Sequence, residues 1–286
     1  MLILAPRARA GSARPAPGPP CHLRTFGGFC LLRAGRPSPA ALWRRQSAKL
    51  IVVCLLLAEG RAVPKSELCG VLWPDAGQAQ AANRLRVALC ALRQALEPER
   101  PAHRPSAFLA ADRQTCALLP DAPLTWDVGL LRAALALAAA QPGCAHAALA
   151  PQVEALQGPW LPDLDAAGDF SAARWHLNSL AAGAAVQLGE AALAGGEVRL
   201  ARTAAERAAA VDPGSEEAYG LLLRVCAAAG PPRLVQRTYD FVCAQLLHHA
   251  DAAPGPWLRS VAAEALARAG GRDPTAPTAQ RQRAGG

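Results

Sequence analysis

Aromatic residues make up only 5% of this 286-residue chain, and lysine is nearly missing, with Lys49 and Lys65 set against twenty-eight arginines. So few aromatics speak against a strand-rich protein. The apolar fraction of 52% is largely alanine, and Ala-rich sequence with leucines at intervals suits packed helices. No run of eighteen apolar residues is present, so no segment is expected to span a membrane. The first residues, MLIL followed by Arg, Pro and Gly, lack the charged-then-apolar order of a signal peptide. A cytoplasmic location is therefore expected. Nine cysteines are scattered without a C-x-x-C pair or a His at zinc-finger spacing. They read as reduced, buried thiols rather than a metal site or a disulfide framework. No phosphate-binding loop of the G-x-x-x-x-G-K-[ST] type occurs, so no nucleotide cofactor is expected. His248 and His249 are adjacent, and neighbours on a helix diverge by about 100°, which makes a poor metal clamp. No nucleophile, base and orienting group come together in the sequence, and the chain reads as a binder, not an enzyme.

What is present is a charge asymmetry. Residues 22–120 carry fourteen Lys/Arg against six Asp/Glu, whereas residues 121–286 carry thirteen against sixteen. Arginine bias in composition explains Arg over Lys but not this division. A basic half beside an acidic half is a footprint of nucleic-acid binding by the first half.

The pattern along the chain follows the same division. Residues 1–21 are Pro/Gly-rich and expected to be disordered. Residues 22–37 alternate through Leu23, Thr25, Phe26, Phe29 and Leu31, with glycines between, and suggest a short strand pair. Ser47 to Gly60 is a strongly apolar run ending at a glycine, as a buried helix would. Pro64-Lys65-Ser66-Glu67 opens a short helix that stops at Trp73-Pro74-Asp75. A longer helix is predicted from about Gln80 to Leu96. Residues 107–119 are two short apolar runs around Asp112-Arg113-Gln114, a β-hairpin. Three helices followed by a hairpin are the winged form of the helix-turn-helix.

After Trp126 six helical segments are predicted, at 127–141, 144–157, 169–194, 197–210, 216–229 and 232–248. Gly195 and Gly230 end equivalent helices 35 residues apart, and their partners begin at Glu197 and Arg233. Paired helices at this spacing are the mark of tetratricopeptide-like (TPR-like) repeats. The expected architecture is mainly α. A winged helix-turn-helix domain (22–120, α+β) precedes an all-α TPR-like helical-repeat domain (121–268), and a second disordered tail (269–286) ends the chain.

The helix predicted to end at Leu96 carries the functional signal. Leu85, Leu89, Leu92 and Leu96 recur at i, i+4, i+7 and i+11, a stripe that must face the core. At about 100° per residue, Asn83, Val87, Cys90 and Gln94 then face away. Arg84 and Arg86 lie on opposite flanks, with Arg93 on the Arg86 side, and all three are expected in solvent. Such a face suits the major groove: Arg pairs with guanine, Asn with adenine, and Val touches a thymine methyl. An ordinary solvated face is the alternative for one basic helix alone; the short helix before it and the hairpin after it favour recognition. Arg113 at the hairpin tip would reach a minor groove or a phosphate. Arg44, Arg45 and Lys49, at the start of the first helix, either bind phosphates or solvate that end.

In these stretches residues 23–119 resemble the OmpR/PhoB-type winged helix. The resemblance is carried by Leu23-Arg24-Thr25-Phe26-Gly27-Gly28-Phe29, Leu57-Ala58-Glu59-Gly60-Arg61, Glu67-Leu68 to Leu72-Trp73-Pro74-Asp75, and Leu85-Arg86-Val87-Ala88-Leu89 to Leu92-Arg93-Gln94-Ala95-Leu96. The variant is that of activators with a bacterial transcriptional activation domain, the SARP-like group. Asp127-Val128, the run Gly158-Pro159-Trp160-Leu161-Pro162-Asp163, and Val211-Asp212-Pro213 followed by Glu216-Glu217-Ala218-Tyr219 resemble that domain. The resemblance implies a transcription regulator of activating sign. Its winged helix would read double-stranded DNA, and its repeats would contact RNA polymerase, another protein or a second protomer. The rival is a protein–protein adaptor whose winged helix no longer reads DNA. Ala91, where relatives carry a polar residue, and the wing sequence Gln114-Thr115-Cys116 favour the rival; the charge division opposes it.

Overall fold

In the computed structural model, which describes residues 20–101, 104–164 and 170–271, the early alternation becomes a sheet. Strands β1 (Cys21–Arg24), β2 (Cys30–Arg33) and β3 (Arg36–Pro37) pair antiparallel in sequence order, with Cys21 opposite Arg33 and Arg24 opposite Cys30. Cys21, Leu23 and Leu31 point into the core, while His22 and Arg24 are only half-buried. This is the period-two pattern of a sheet with one buried face. After a short 3₁₀ turn that buries Trp43 against Phe29 (ring centroids 4.8 Å apart), helix α1 (Gln46–Leu57) turns Leu50, Ile51, Val53 and Leu55 inward. It ends as expected near Gly60, which adopts φ 85°; Glu59 before it is also left-handed at φ 51°.

A two-residue strand, β4 (Val63–Pro64), leads into α2 (Lys65–Leu72) and then α3 (Gln78–Leu96). The wing follows as β5 (Leu109–Ala111) and β6 (Thr115–Leu118), and β4 pairs with β6 to make a three-stranded sheet in the order β4-β6-β5. The α3 stripe is buried as its period requires: Leu85, Leu89, Leu92 and Leu96 are 2%, 4%, 0% and 0% exposed. The last carbonyls of α3, left without helical partners, are met by the Arg33 guanidinium, which donates to Ala95 O at 3.0 Å and Leu96 O at 2.6 Å. Glu97, directly after the helix, accepts from the Ala107 N–H at 2.8 Å and from the Ser106 hydroxyl. The wing is thereby tied to the end of α3. A short strand not foreseen from the sequence, β7 (Leu124–Trp126), pairs parallel with β1, Leu23 opposite Trp126, and completes the order β3-β2-β1-β7.

The chain divides into two compact units. The first holds the described residues up to Arg24 together with those of Phe29–Trp126 and with Asp163 and Leu164; the second holds Thr25–Gly28, Asp127–Pro162 and the described residues from Phe170 onward. The second unit is helical: α4 (Asp127–Ala140), α5 (Ala145–Glu154), α6 (Ser171–Ala194), α7 (Val198–Val211), α8 (Glu216–Ala229), α9 (Pro232–Ala250) and α10 (Pro256–Gly270). Consecutive helices from α6 to α10 pack on one another, and α8 also contacts α10. Tyr219, Leu223, Val235, Val242, Leu246 and Leu258 form one apolar cluster among α8, α9 and α10. Gly195 and Gly230 cap α6 and α8, as the 35-residue spacing anticipates. At the repeat junction the Ser215 hydroxyl caps α8 by accepting from the Ala218 N–H at 3.2 Å, and the Tyr219 hydroxyl donates to Pro213 O at 3.0 Å. Six helices were expected after Trp126; α10 is a seventh. The segments expected to be disordered, 1–21 and 269–286, lie outside the described residues except at their inner ends, where Cys21 opens β1 and Gly270 closes α10. Among the described residues no helix is long and apolar enough to cross a membrane.

Asp127, the first residue of α4, binds the segment Thr25–Gly28 into the second unit. Its carboxylate accepts from the Thr25 N–H (2.5 Å), the Thr25 hydroxyl (2.6 Å), the Phe26 N–H (2.9 Å) and the Val128 N–H (2.9 Å). Burial pushes this carboxyl above its ordinary range, and the four donors oppose that push. Beside it, Gly27 (φ 80°) donates to Pro159 O at 2.9 Å, and a Cβ at this position would lie 2.7 Å from the Gln157 Cβ. Only glycine fits both the left-handed backbone and the close approach. Replacing Asp127 by Ala strands several buried donors, so the second unit should lose about 1–3 kcal/mol in chemical denaturation. Stability equal to wild type would mean that water substitutes for the carboxylate.

Candidate nucleic-acid interface

With four leucines fixed inward, α3 presents Asn83, Arg84, Arg86 and Cys90 to solvent, and Val87 is 37% exposed. Arg86 Nη2 donates to Asn83 Oδ1 at 3.1 Å, one turn away on the same face. Arg93 was expected in solvent with Arg84 and Arg86, but it is half-buried. The reason is the wing: Arg93 lies about 70° from the centre of the leucine stripe, against about 90° for Arg86, and β6 of the wing stands beside that flank. Its stem therefore runs along the wall that faces the wing. It sits close enough to the buried Cys116 of β6 for its charge to oppose the upward push that burial gives that thiol.

The wing tip is built as a closed turn. Asp112 accepts from the Gln114 N–H at 2.7 Å, the Thr115 N–H at 2.6 Å and the Thr115 hydroxyl at 3.0 Å, an Asx turn that holds Arg113 exposed at its apex. Lys65 at the start of α2 fastens this turn from the other side. Its backbone N–H donates to Gln114 O at 2.8 Å and its ammonium to Asp112 O at 2.7 Å.

Between α2, α3 and the wing runs a groove of about 640 Å³. Leu85, Leu89, Trp73 and Ala81 contribute apolar lining, and Lys65, Arg86, Arg93 and Arg113 bring four cationic side chains to it. Asp112 supplies the lone carboxylate, and that carboxylate is turned onto its own backbone. Sequence reasoning found Arg86, Arg93 and Arg113; it missed Lys65, whose signal, a cation at the first residue of a short helix, is common. Asn83, Arg84 and Val87 stand on the α3 face outside the residues that line the groove. Arg44 and Arg45 are exposed before α1 and are likewise not part of the lining, while Lys49 rests its ammonium 5.4 Å from the centre of the Phe29 ring.

All nine cysteines are free thiols. The expectation that they are buried holds for Cys21 and Cys116 but not for Cys90 and Cys144, which are exposed. An Ala-rich helix leaves small apolar side chains on its outer face at little cost, so apolar context does not locate a cysteine in the core. Burial pushes the Cys54 thiol up to about 11. Among the described residues no group of three or more His, Cys, Asp or Glu is placed to hold a metal ion.

The Thr115 N–H first, then the Gln114 N–H and the Thr115 hydroxyl, hold the Asp112 carboxyl below its ordinary 3.8, and the Lys65 charge adds to them. A lowered acid stabilises its turn above 3.8 and loses that contribution as the pH falls through the lowered value. The Gln114 and Thr115 amide resonances should therefore titrate with a midpoint below 3.8, and the titration should vanish in Asp112→Asn. A midpoint at or above the ordinary value would show that the turn is not closed by the carboxylate.

No known protein family matches the sequence, and no curated protein matches it significantly. Among solved structures it is similar to Mycobacterium tuberculosis EmbR, determined in complex with a low-affinity phosphopeptide. The likeness has a TM-score of 0.56 at 20% identity and covers 89% of this chain and 67% of that one. At that identity the likeness is one of fold. The chain has the architecture that its resemblance to SARP-like regulators implies, a winged helix followed by a helical-repeat domain.

Proposed function

We propose that this chain is a sequence-specific DNA-binding transcription regulator of activating sign that acts in the cytoplasm without a cofactor and catalyses no reaction. The observation that carries this reading is the groove beside α3. Lys65, Arg86, Arg93 and Arg113 converge there from three elements, with the lone carboxylate turned away. A duplex has the matching chemistry, a dense row of phosphates flanking acceptor-rich base edges. Asn83, Arg84, Arg86 and Val87 face the bases, Arg93 and Arg113 take phosphates or the minor groove, and Arg44, Arg45 and Lys49 meet the backbone at the start of α1. Residues 22–120 do this work. Residues 121–268 contact RNA polymerase, another protein or a second protomer through the helical repeats.

The test is binding of the full chain to the DNA upstream of its own gene at two salt concentrations. Arg86→Ala should lose about 1–3 kcal/mol and relax specificity at one base pair. Arg93→Ala and Arg113→Ala should weaken all sequences alike and flatten the plot of log affinity against log salt by about one unit each. Should all three variants match wild type, the groove does not read DNA and the adaptor role takes its place.

A further inference from the structure

We infer that Asn83 and Arg86 act as one unit that reads guanine, with Asn83 orienting Arg86 rather than reading adenine. The inference rests on the DNA-binding reading above and narrows it. Asparagine recognises adenine by using both ends of its amide, the oxygen accepting from the adenine amino group and the nitrogen donating to N7. In this chain one of the oxygen's two lone pairs is already taken: Arg86 Nη2 donates to Asn83 Oδ1 at 3.1 Å, so the amide cannot turn without giving up this bond. The amide orientation is dictated by chemistry, because a guanidinium has five N–H donors and no acceptor, so only the oxygen can face it.

What remains outward is then chiefly donors, beside the second lone pair of the Asn83 oxygen. Asn83 keeps its two N–H groups, and Arg86 keeps its other N–H groups; both side chains are exposed on the same face, one turn apart. A surface made mostly of donors matches guanine, whose major-groove edge offers O6 and N7 as two acceptors, better than adenine, which offers one acceptor and one donor. The bond also limits the rotamers of a long arginine side chain before any DNA arrives, so less freedom remains to be lost on binding. Asn83 is on this account a positioning residue for Arg86.

The experiment is selection of bound sites from a pool of randomised DNA duplexes by the full chain and by Asn83→Ala, Arg86→Ala, the double variant and Asn83→Asp. Circular dichroism should be unchanged throughout, since both side chains are exposed. Wild type should enrich a guanine at one position by roughly five- to hundredfold. Arg86→Ala should erase that preference, Asn83→Ala should weaken it at the same position, and the double variant should be no worse than Arg86→Ala. Asn83→Asp retains the acceptor for Arg86 and should keep the guanine preference, even though its charge lowers affinity for every sequence. Relaxation of an adenine position by Asn83→Ala, separate from the position read by Arg86, would overturn the inference while leaving the DNA-binding reading standing. A wild-type pool with no enrichment would overturn both.

Discussion

Burial of four leucines along one side of α3 is the constraint on which the rest depends. Leu85, Leu89, Leu92 and Leu96 are almost completely withdrawn from water. Each such side chain is worth about 1.5–3 kcal/mol buried rather than exposed, so no rotation of the helix that exposed them would survive. Once they are fixed, the helix has no remaining choice about its other face. Asn83, Arg84 and Arg86 must be outward, and Arg93 must lie along the side wall.

Geometry around that helix is held by polar contacts at its margins. Arg33 closes the last carbonyls of α3, and Glu97 anchors the segment that leads into the wing. Lys65 and Asp112 close the wing tip from two sides. Arg113 itself is then presented by a rigid turn, although it is a flexible side chain in solvent. A groove assembled from three elements thus keeps its cations converging without any of them having to pair with a neighbouring acid.

Much of this was legible in the sequence, and the parts that were not have a common cause. The α3 stripe, the Asp112-Arg113-Gln114 tip and the glycine stops at 195 and 230 are local patterns, fixed by period or by turn chemistry within a few residues. Strands β4 and β7 are two and three residues long, too short to show a period, and exist because β6 and β1 are there to pair with them. Asp127 meets Thr25 and Phe26 across about a hundred residues of chain, which no local pattern reports. The start of α10 at Pro256 is hidden behind the run Asp251-Ala-Ala-Pro-Gly, which by itself reads as a loop. Arg93 was misplaced for a subtler reason: the helical wheel gave its angle correctly, but only the wing shows that this flank is covered.

The central claim is that α3 and the wing tip form a single DNA-contacting surface. The most direct measurement is the change in backbone amide resonances of the nitrogen-labelled full chain as a mixed-sequence duplex is added at low salt. The account predicts shifts concentrated at the outward residues of α3 from Asn83 to Cys90 and at Asp112 to Gln114, fading together as salt is raised. Shifts confined to the helices α6–α10, or movement of α3 without the wing tip, would contradict it.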